Sequence, residues 1–127
     1  MTYRFHHLHL ICQDLEKMIA FFTDEIGATL VVRKKFGPSD GATLDLQGAT
    51  VNLRVPREGE TTETAGPQSA LGYDHIGLTV DDLDAAFTNL SAKGYTFITP
   101  PTDIPDVRIA FFKGPEDIVI ELMQPLS

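Results

Sequence analysis

The stretch Tyr73–Phe87, "YDHIGLTVDDLDAAF", decides the fold, because Phe5–Ile19, "FHHLHLICQDLEKMI", is a blurred copy of it 68 residues earlier. At that shift His7 falls on His75, Leu8 on Ile76, Leu10 on Leu78, Asp14 on Asp82 and Leu15 on Leu83. In each copy apolar residues alternate first (Leu8, Leu10, Cys12; Ile76, Leu78, Val80), the period of a strand with one buried face. A helix is expected next. Asp14 and Asp82 suit its N-cap, where a short carboxylate accepts the unpaired amides of the first turn, and Gly27 and Gly94 suit its C-terminal end. Between them Leu15, Met18, Ile19, Phe22 and Ile26, and again Leu83, Ala86, Phe87 and Leu90, fall on one helical face.

Three β-like runs follow each helix, at 28–36, 42–47 and 49–55 and, less clearly, at 95–99, 107–113 and 117–123. Each half therefore reads βαβββ, and the chain is an α+β protein built as module one (1–56), a polar, aperiodic linker (57–72) and module two (73–127). The stretch "TPPTDIP" at 99–105 reads as irregular, since its prolines forbid a central strand. With 127 residues, 43% of them hydrophobic, the chain has enough core for one domain and too little for two independent ones. Each repeat is then half of a single domain, 1–127.

Composition narrows the function. Lys and Arg total 10 against 18 Asp and Glu, a formal charge of −8, which repels phosphate backbones and anionic membranes; neither nucleic acid nor membrane is an expected partner. No apolar run approaches the roughly 18 to 20 residues needed to span a bilayer. Cys12 is the single cysteine, so no intrachain disulfide can form, and the first residues lack the apolar stretch of a signal peptide; a cytoplasmic protein is the expectation. By alternation Cys12 faces the helix, as a buried and inert thiol.

The last strands repeat too, at a shift of 69: "VNLRVP" (Val51–Pro56) lies over "IELMQP" (Ile120–Pro125) and pairs Asn52 with Glu121. If Ile120 and Leu122 face the helix, Glu121 faces the opposite side of the sheet. The same alternation turns His7, His9 and Ile11, and His75, Gly77 and Thr79, away from the core. Arg54 shares the face of Asn52, either to meet a substrate anion or as a solvated strand-end arginine.

This arrangement resembles the vicinal oxygen chelate superfamily, which includes glyoxalase I, methylmalonyl-CoA epimerase, extradiol dioxygenases, fosfomycin-resistance enzymes and bleomycin-binding proteins. The likeness covers essentially the whole chain and rests on "HHLHLICQDLEKMIAFFTDEIGA" (7–28), "DHIGLTVDDLDAAFTNLSAKGY" (74–95) and "FFKGPEDIVIEL" (111–122). It implies two βαβββ modules forming an open, curved sheet cleft, and a divalent metal held by the first and last strands of each. Carried over position by position, it implies His7, His75 and Glu121 as metal ligands with Asn52 at the fourth place. It also implies a small-molecule substrate and a homodimer.

The chemistry agrees with that assignment. Two neutral imidazoles and a carboxylate with open positions suit Fe(II), and equally Zn, Ni, Co or Mn. A substrate could then chelate through two adjacent oxygens, and a proton beside its bound carbonyl would be acidified through an enolate-like intermediate. Lyase or isomerase chemistry of the glyoxalase and epimerase kind is expected, with Glu121 and His9 as catalytic residues. His9 is placed either as a general acid or base or as a residue orienting His7. Asn52 departs from glyoxalase I, which has a Glu there, and Asn cannot act as a base; epimerases carry Gln, whose amide oxygen Asn also offers. Asp45 or His9 could supply a second base. An Fe(II) extradiol-type ring-cleaving dioxygenase is the first alternative, although Phe111 and Phe112 stand where its tyrosine is sought. The second is a metal-free small-molecule binding or antibiotic-resistance protein, a type that usually lacks the His, His, Glu set.

Overall fold

In the computed structural model, residues 1–2, 4–60, 63 and 73–126 are described; most of the expected linker lies outside them. The chain divides into two compact units, Met1–Glu63 and Thr64–Ser127. Each carries the βαβββ order. The first has β1 (His7–Ile11), α1 (Leu15–Ala20), a π-helical continuation of α1 (Phe21–Ile26), β2 (Thr29–Phe36), β3 (Ser39–Leu46) and β4 (Ala49–Arg54). The second has β5 (Ile76–Thr79), α2 (Leu83–Ala92), β6 (Phe97–Ile104), β7 (Val107–Lys113), a single 3₁₀ turn (Pro115–Asp117) and β8 (Val119–Pro125).

The two sheets have the same topology, β1-β4-β3-β2 and β5-β8-β7-β6. In each, the first strand lies parallel to the last, and the remaining pairings are antiparallel hairpins. The helix is the crossover that makes the parallel pair possible. Its apolar stripe buries Met18, Phe21 and Phe22 in module one against Ala42, Leu44, Val51 and Leu53. In module two Leu83 and Leu90 are buried with Ala110, Phe112, Ile120 and Leu122. Asp14 accepts from the Lys17 amide and Asp82 from the Ala85 amide, each at 3.0 Å, so both N-caps are as the sequence indicates. Gly27 and Gly94 both take φ +93°, the left-handed turn that ends each helix and that only glycine adopts without strain.

The spacing from aspartate cap to glycine differs by one residue between the modules. Asp14 and Gly27 are one position further apart than Asp82 and Gly94, and module one absorbs the insertion as π-helix over Phe21–Ile26. Thr23 Oγ donates to the Ile19 carbonyl at 3.0 Å, satisfying an acceptor at the point where the helix widens.

One expectation fails. The stretch 99–105 is not irregular: β6 runs through Pro100 and Pro101 to Ile104. It survives because it is an edge strand, and its pairing with β7 slips between Phe97 and Thr99 and again between Thr99 and Thr102. Prolines at an edge with shifted register remove no ladder bond that a neighbour needs.

Candidate functional site

The parallel pairing arranges the helix-distal face of each sheet in rows. In module one Asn52 lies between Thr43 on β3 and His9 on β1. The row to one side is Asp45, Thr50 and His7, and the row to the other is Gly41, Arg54 and Ile11. In module two Glu121 lies between Phe111 on β7 and Gly77 on β5. Glu121 and Asn52 therefore hold equivalent places, as do Gly77 and His9. His75 stands one residue before β5 and two before Gly77, as His7 stands two before His9.

His75 and Glu121 are brought together: His75 Nε2 lies 3.0 Å from Glu121 Oε1. The ring's other nitrogen, Nδ1, lies 2.7 Å from Asp74 Oδ2, and Phe111 packs edge-on to the ring at 5.2 Å. The Asp74 hydrogen bond raises the His75 pKa above the usual histidine value; burial opposes it, and the charges of Glu121 and Asp74 add to the rise. The donor set fits a divalent cation. The pair stands at hydrogen-bond distance, and two ligands bound at about 2.1 Å to one metal lie about 3.0 to 3.4 Å apart according to the angle between them, so both atoms could reach one cation with little movement. Within either module alone, no three His, Cys, Asp or Glu side chains among the described residues converge as a metal site.

In module one, His7 Nδ1 lies 2.9 Å from His6 Nδ1, and the His7 and His9 rings are 6.2 Å apart. His9 packs on Phe36 with centroids 4.6 Å apart. Burial, then the charges of Arg54, His7 and Arg57, lower the His9 pKa, so its ring is neutral at neutral pH. Asn52 is 9% exposed, and its Oδ1 accepts from Thr43 Oγ at 2.7 Å. That oxygen keeps a second lone pair but already has a partner. Asp45 is exposed, and Cys12 is 1% exposed with its thiol 3.7 Å from the Arg54 carbonyl, a packed and unreactive position.

Arg54 is neither a solvated strand-end residue nor an open anion contact. It is bidentate to Glu60 at 2.7 and 2.8 Å with 11% of its side chain exposed. Glu60 also accepts from the Arg57 amide at 2.6 Å, and these bonds lower its pKa to about 2. The Arg57 side chain donates to Ser39 Oγ and to the Phe36 carbonyl. This latch turns the chain after β4 back over the end of the sheet. A surface depression of ≈ 360 Å³ lined by Leu15, Glu16, Arg33, Lys34, Lys35, Asp40 and Gly41 touches none of the candidate residues, and its Glu16–Arg33 and Lys35–Asp40 charges are paired.

Sequence reasoning missed Asp74, Thr43 and Glu60, and named Phe111 only as standing where a dioxygenase tyrosine is sought. Thr43 had a signal: a two-residue Gln47-Gly48 turn sets Thr43 opposite Asn52 by counting alone. Asp74 stood beside His75 in plain view. Glu60 had none, because its partner is fixed by how the chain doubles back.

The sequence model of the Glyoxalase/Bleomycin resistance protein/Dioxygenase superfamily matches residues 4–122. A probable lactoylglutathione lyase of Vibrio cholerae is 30% identical over 97% of this chain and 91% of its own length. A glyoxalase family protein of Bacillus cereus superposes with a TM-score of 0.84 at 23% identity, covering 100% of this chain and 97% of that one. A variant of the fosfomycin resistance protein FosX from Listeria monocytogenes, solved with Mn(II) and 1S,2S-dihydroxypropylphosphonic acid, superposes at 0.73 with 18% identity, covering 96% and 90%. With the βαβββ modules and a family match over nearly its full length, the chain belongs to the Glyoxalase/Bleomycin resistance protein/Dioxygenase superfamily, the vicinal oxygen chelate fold.

Proposed function

We propose that this protein is a metal-dependent lyase or isomerase acting on a small substrate that chelates through two adjacent oxygens. His7, His75 and Glu121 hold the metal, with Asn52 as a weaker fourth ligand. The observation that carries the reading is the 3.0 Å approach of His75 Nε2 to Glu121 Oε1, which brings two ligand-type atoms together on one face of the sheet. A divalent cation bound there would polarise a substrate carbonyl and stabilise the enolate-like charge that develops beside it.

The chain's own groups supply the rest. Glu121 and the neutral His9 ring are the proton-handling residues, and His9 is held against Phe36 rather than spent on an ion pair. A Cβ on Gly77 would stand 3.8 Å from Glu121 Oε1 and 4.0 Å from Met123 Sδ, so the lack of a side chain there leaves a substrate room beside Glu121. Kinship with a probable lactoylglutathione lyase and a fold shared with a Mn(II)-bound resistance protein support metal-assisted chemistry. We further propose a homodimer, as relatives commonly form, which sedimentation at micromolar concentration checks; a monomer there removes it.

Metal analysis of protein purified without a chelating tag tests the reading. One Zn, Ni, Co or Mn per chain is expected, lost in His75→Ala and reduced less in Asn52→Ala, because the Asn52 oxygen is shared with Thr43. Full metal retention by His75→Ala would sink the assignment. Iron with oxygen consumption would redirect it to the ring-cleaving dioxygenase, and no metal at all to the binding or resistance protein.

A further inference from the structure

We propose that Asn52 donates a hydrogen bond from Nδ2 to an oxygen of the substrate, and that Thr43 is the positioning residue that turns this end of the amide outward. The inference rests on the reading above for the kind of ligand, a small molecule rich in oxygen. It concerns the amide nitrogen, whereas that reading uses the amide oxygen.

One row of the first sheet carries the argument. Asn52 on β4 is flanked by Thr43 on β3 and His9 on β1. Thr43 Oγ donates to Asn52 Oδ1 at 2.7 Å, which sets the oxygen end of the amide toward β3. The reversed amide would place Nδ2 on the Thr43 oxygen, and would strand both the hydroxyl proton and Oδ1, because Thr43 has no other side-chain hydrogen bond among the described residues. Stranding two groups costs more than stranding one. In the observed orientation Nδ2 has two N–H bonds and no partner among the described residues. His9 does not take them, since its ring is turned onto Phe36. Asn52 is only 9% exposed, yet no described side-chain nitrogen or oxygen that is sealed from solvent lacks a partner. The small exposed part of Asn52 therefore includes Nδ2. A donor left unmet on a side chain nine-tenths buried is uncommon in folded proteins, and an oxygen of a bound ligand satisfies it.

The second module shows what the place becomes without Thr43. Phe111 stands opposite Glu121 as Thr43 stands opposite Asn52, and a phenyl ring does not pin a carboxylate, so Glu121 meets His75 instead. One place of the repeat thus presents an acceptor and the other a fixed donor. Such a donor suits a carboxylate, or a carbonyl oxygen that gains negative charge, because hydrogen bonds to charged acceptors are about twice as strong as neutral ones.

The test uses acetohydroxamate, which chelates through two adjacent oxygens, on the full-length chain with and without Zn(II). In ¹⁵N–¹H spectra of the parent, the Asn52 side-chain NH₂ pair should shift when the probe is added. Thr43→Val should weaken acetohydroxamate binding about 10-fold by calorimetry at unchanged Zn(II) content, and Thr43→Ser, which keeps the hydroxyl, should restore it. Asn52→Asp keeps an oxygen and loses the donor; it should still hold Zn(II) and bind the probe at least as weakly as Thr43→Val. An Asn52 pair unmoved under both conditions overturns the inference, as does a Thr43→Val or an Asn52→Asp that binds the probe like the parent. A parent that holds no Zn(II) but shows the Asn52 shift ends the metal reading and leaves the donor standing.

Discussion

His9 and Gly77 occupy one position of the repeat with opposite consequences, one filling the sheet face and the other clearing it. A Cβ on Gly77 would come no nearer than 3.8 Å to Glu121 Oε1 and 4.0 Å to Met123 Sδ, so a larger residue fits the fold. Gly77→Val should keep its melting temperature within a degree or two of the parent and lose most of its turnover, by covering Glu121; thermal melts and steady-state rates check both halves. Gly41 is the opposite case. A Cβ there would meet the Leu53 carbonyl oxygen at 2.2 Å and the Phe36 ring at 2.6 Å, and backbone cannot yield as a side chain can. Gly41→Ala should cost about 3 kcal/mol, read from urea denaturation, and displace the Phe36 ring that supports His9. Glu60 gives a pH effect of known sign. Its folded pKa of about 2 lies below its ordinary value of 4.5, so its contribution is fully present above about 4.5 and is lost as pH falls toward 2. Glu60→Gln should therefore flatten that part of the acid-side stability profile and leave the neutral-pH slope as it was.

Helix and hairpin geometry show where each element departs from ideal local structure. The turn joining β3 to β4 holds Gln47 at φ +51° and Gly48 at φ +92°, two consecutive left-handed residues, for which Asn-Gly is the favoured pair. Glutamine bears the cost of that conformation with no compensating turn chemistry. Gln47→Asn should raise stability by about 0.5 kcal/mol, seen as a higher urea midpoint at unchanged slope. The π-helical end of α1 has a different origin. Both glycine caps and both aspartate caps are kept, so the surplus residue of module one widens the last turns instead of lengthening the helix. β6 makes the same point for strands: prolines that would break a central ladder are carried by an edge with shifted register.

For the whole molecule, the proposed ligand set draws His7 and Asn52 from one module and His75 and Glu121 from the other. A cation that binds only the folded chain stabilises it by mass action, about 2.7 kcal/mol at a hundredfold excess over its dissociation constant. Added Co(II) or Zn(II) should thus raise the melting temperature of the parent by several degrees. His7→Ala should abolish that rise as fully as His75→Ala, although the two residues lie 68 positions apart in sequence. Calorimetry with and without chelator checks this; a rise that survives His7→Ala would confine the metal to module two. No helix among the described residues is long and apolar enough to cross a membrane.

The sequence by itself determined the βαβββ repeat, the helix caps, the helix-facing stripes and the face on which His7, His9, Asn52, His75 and Glu121 stand. All of these follow from periodicities of 2 and 3.6 residues and from cap chemistry, which are local. It also marked His75 and Glu121 as belonging together, because the internal repeat encodes the pairing of first and last strands. Tertiary structure alone decided that Glu60 closes on Arg54 and that β6 continues through its prolines. Each depends on which groups finally meet across strands or turns, and a hydrogen bond is fixed by distances of a few tenths of an ångström that no spacing of letters contains.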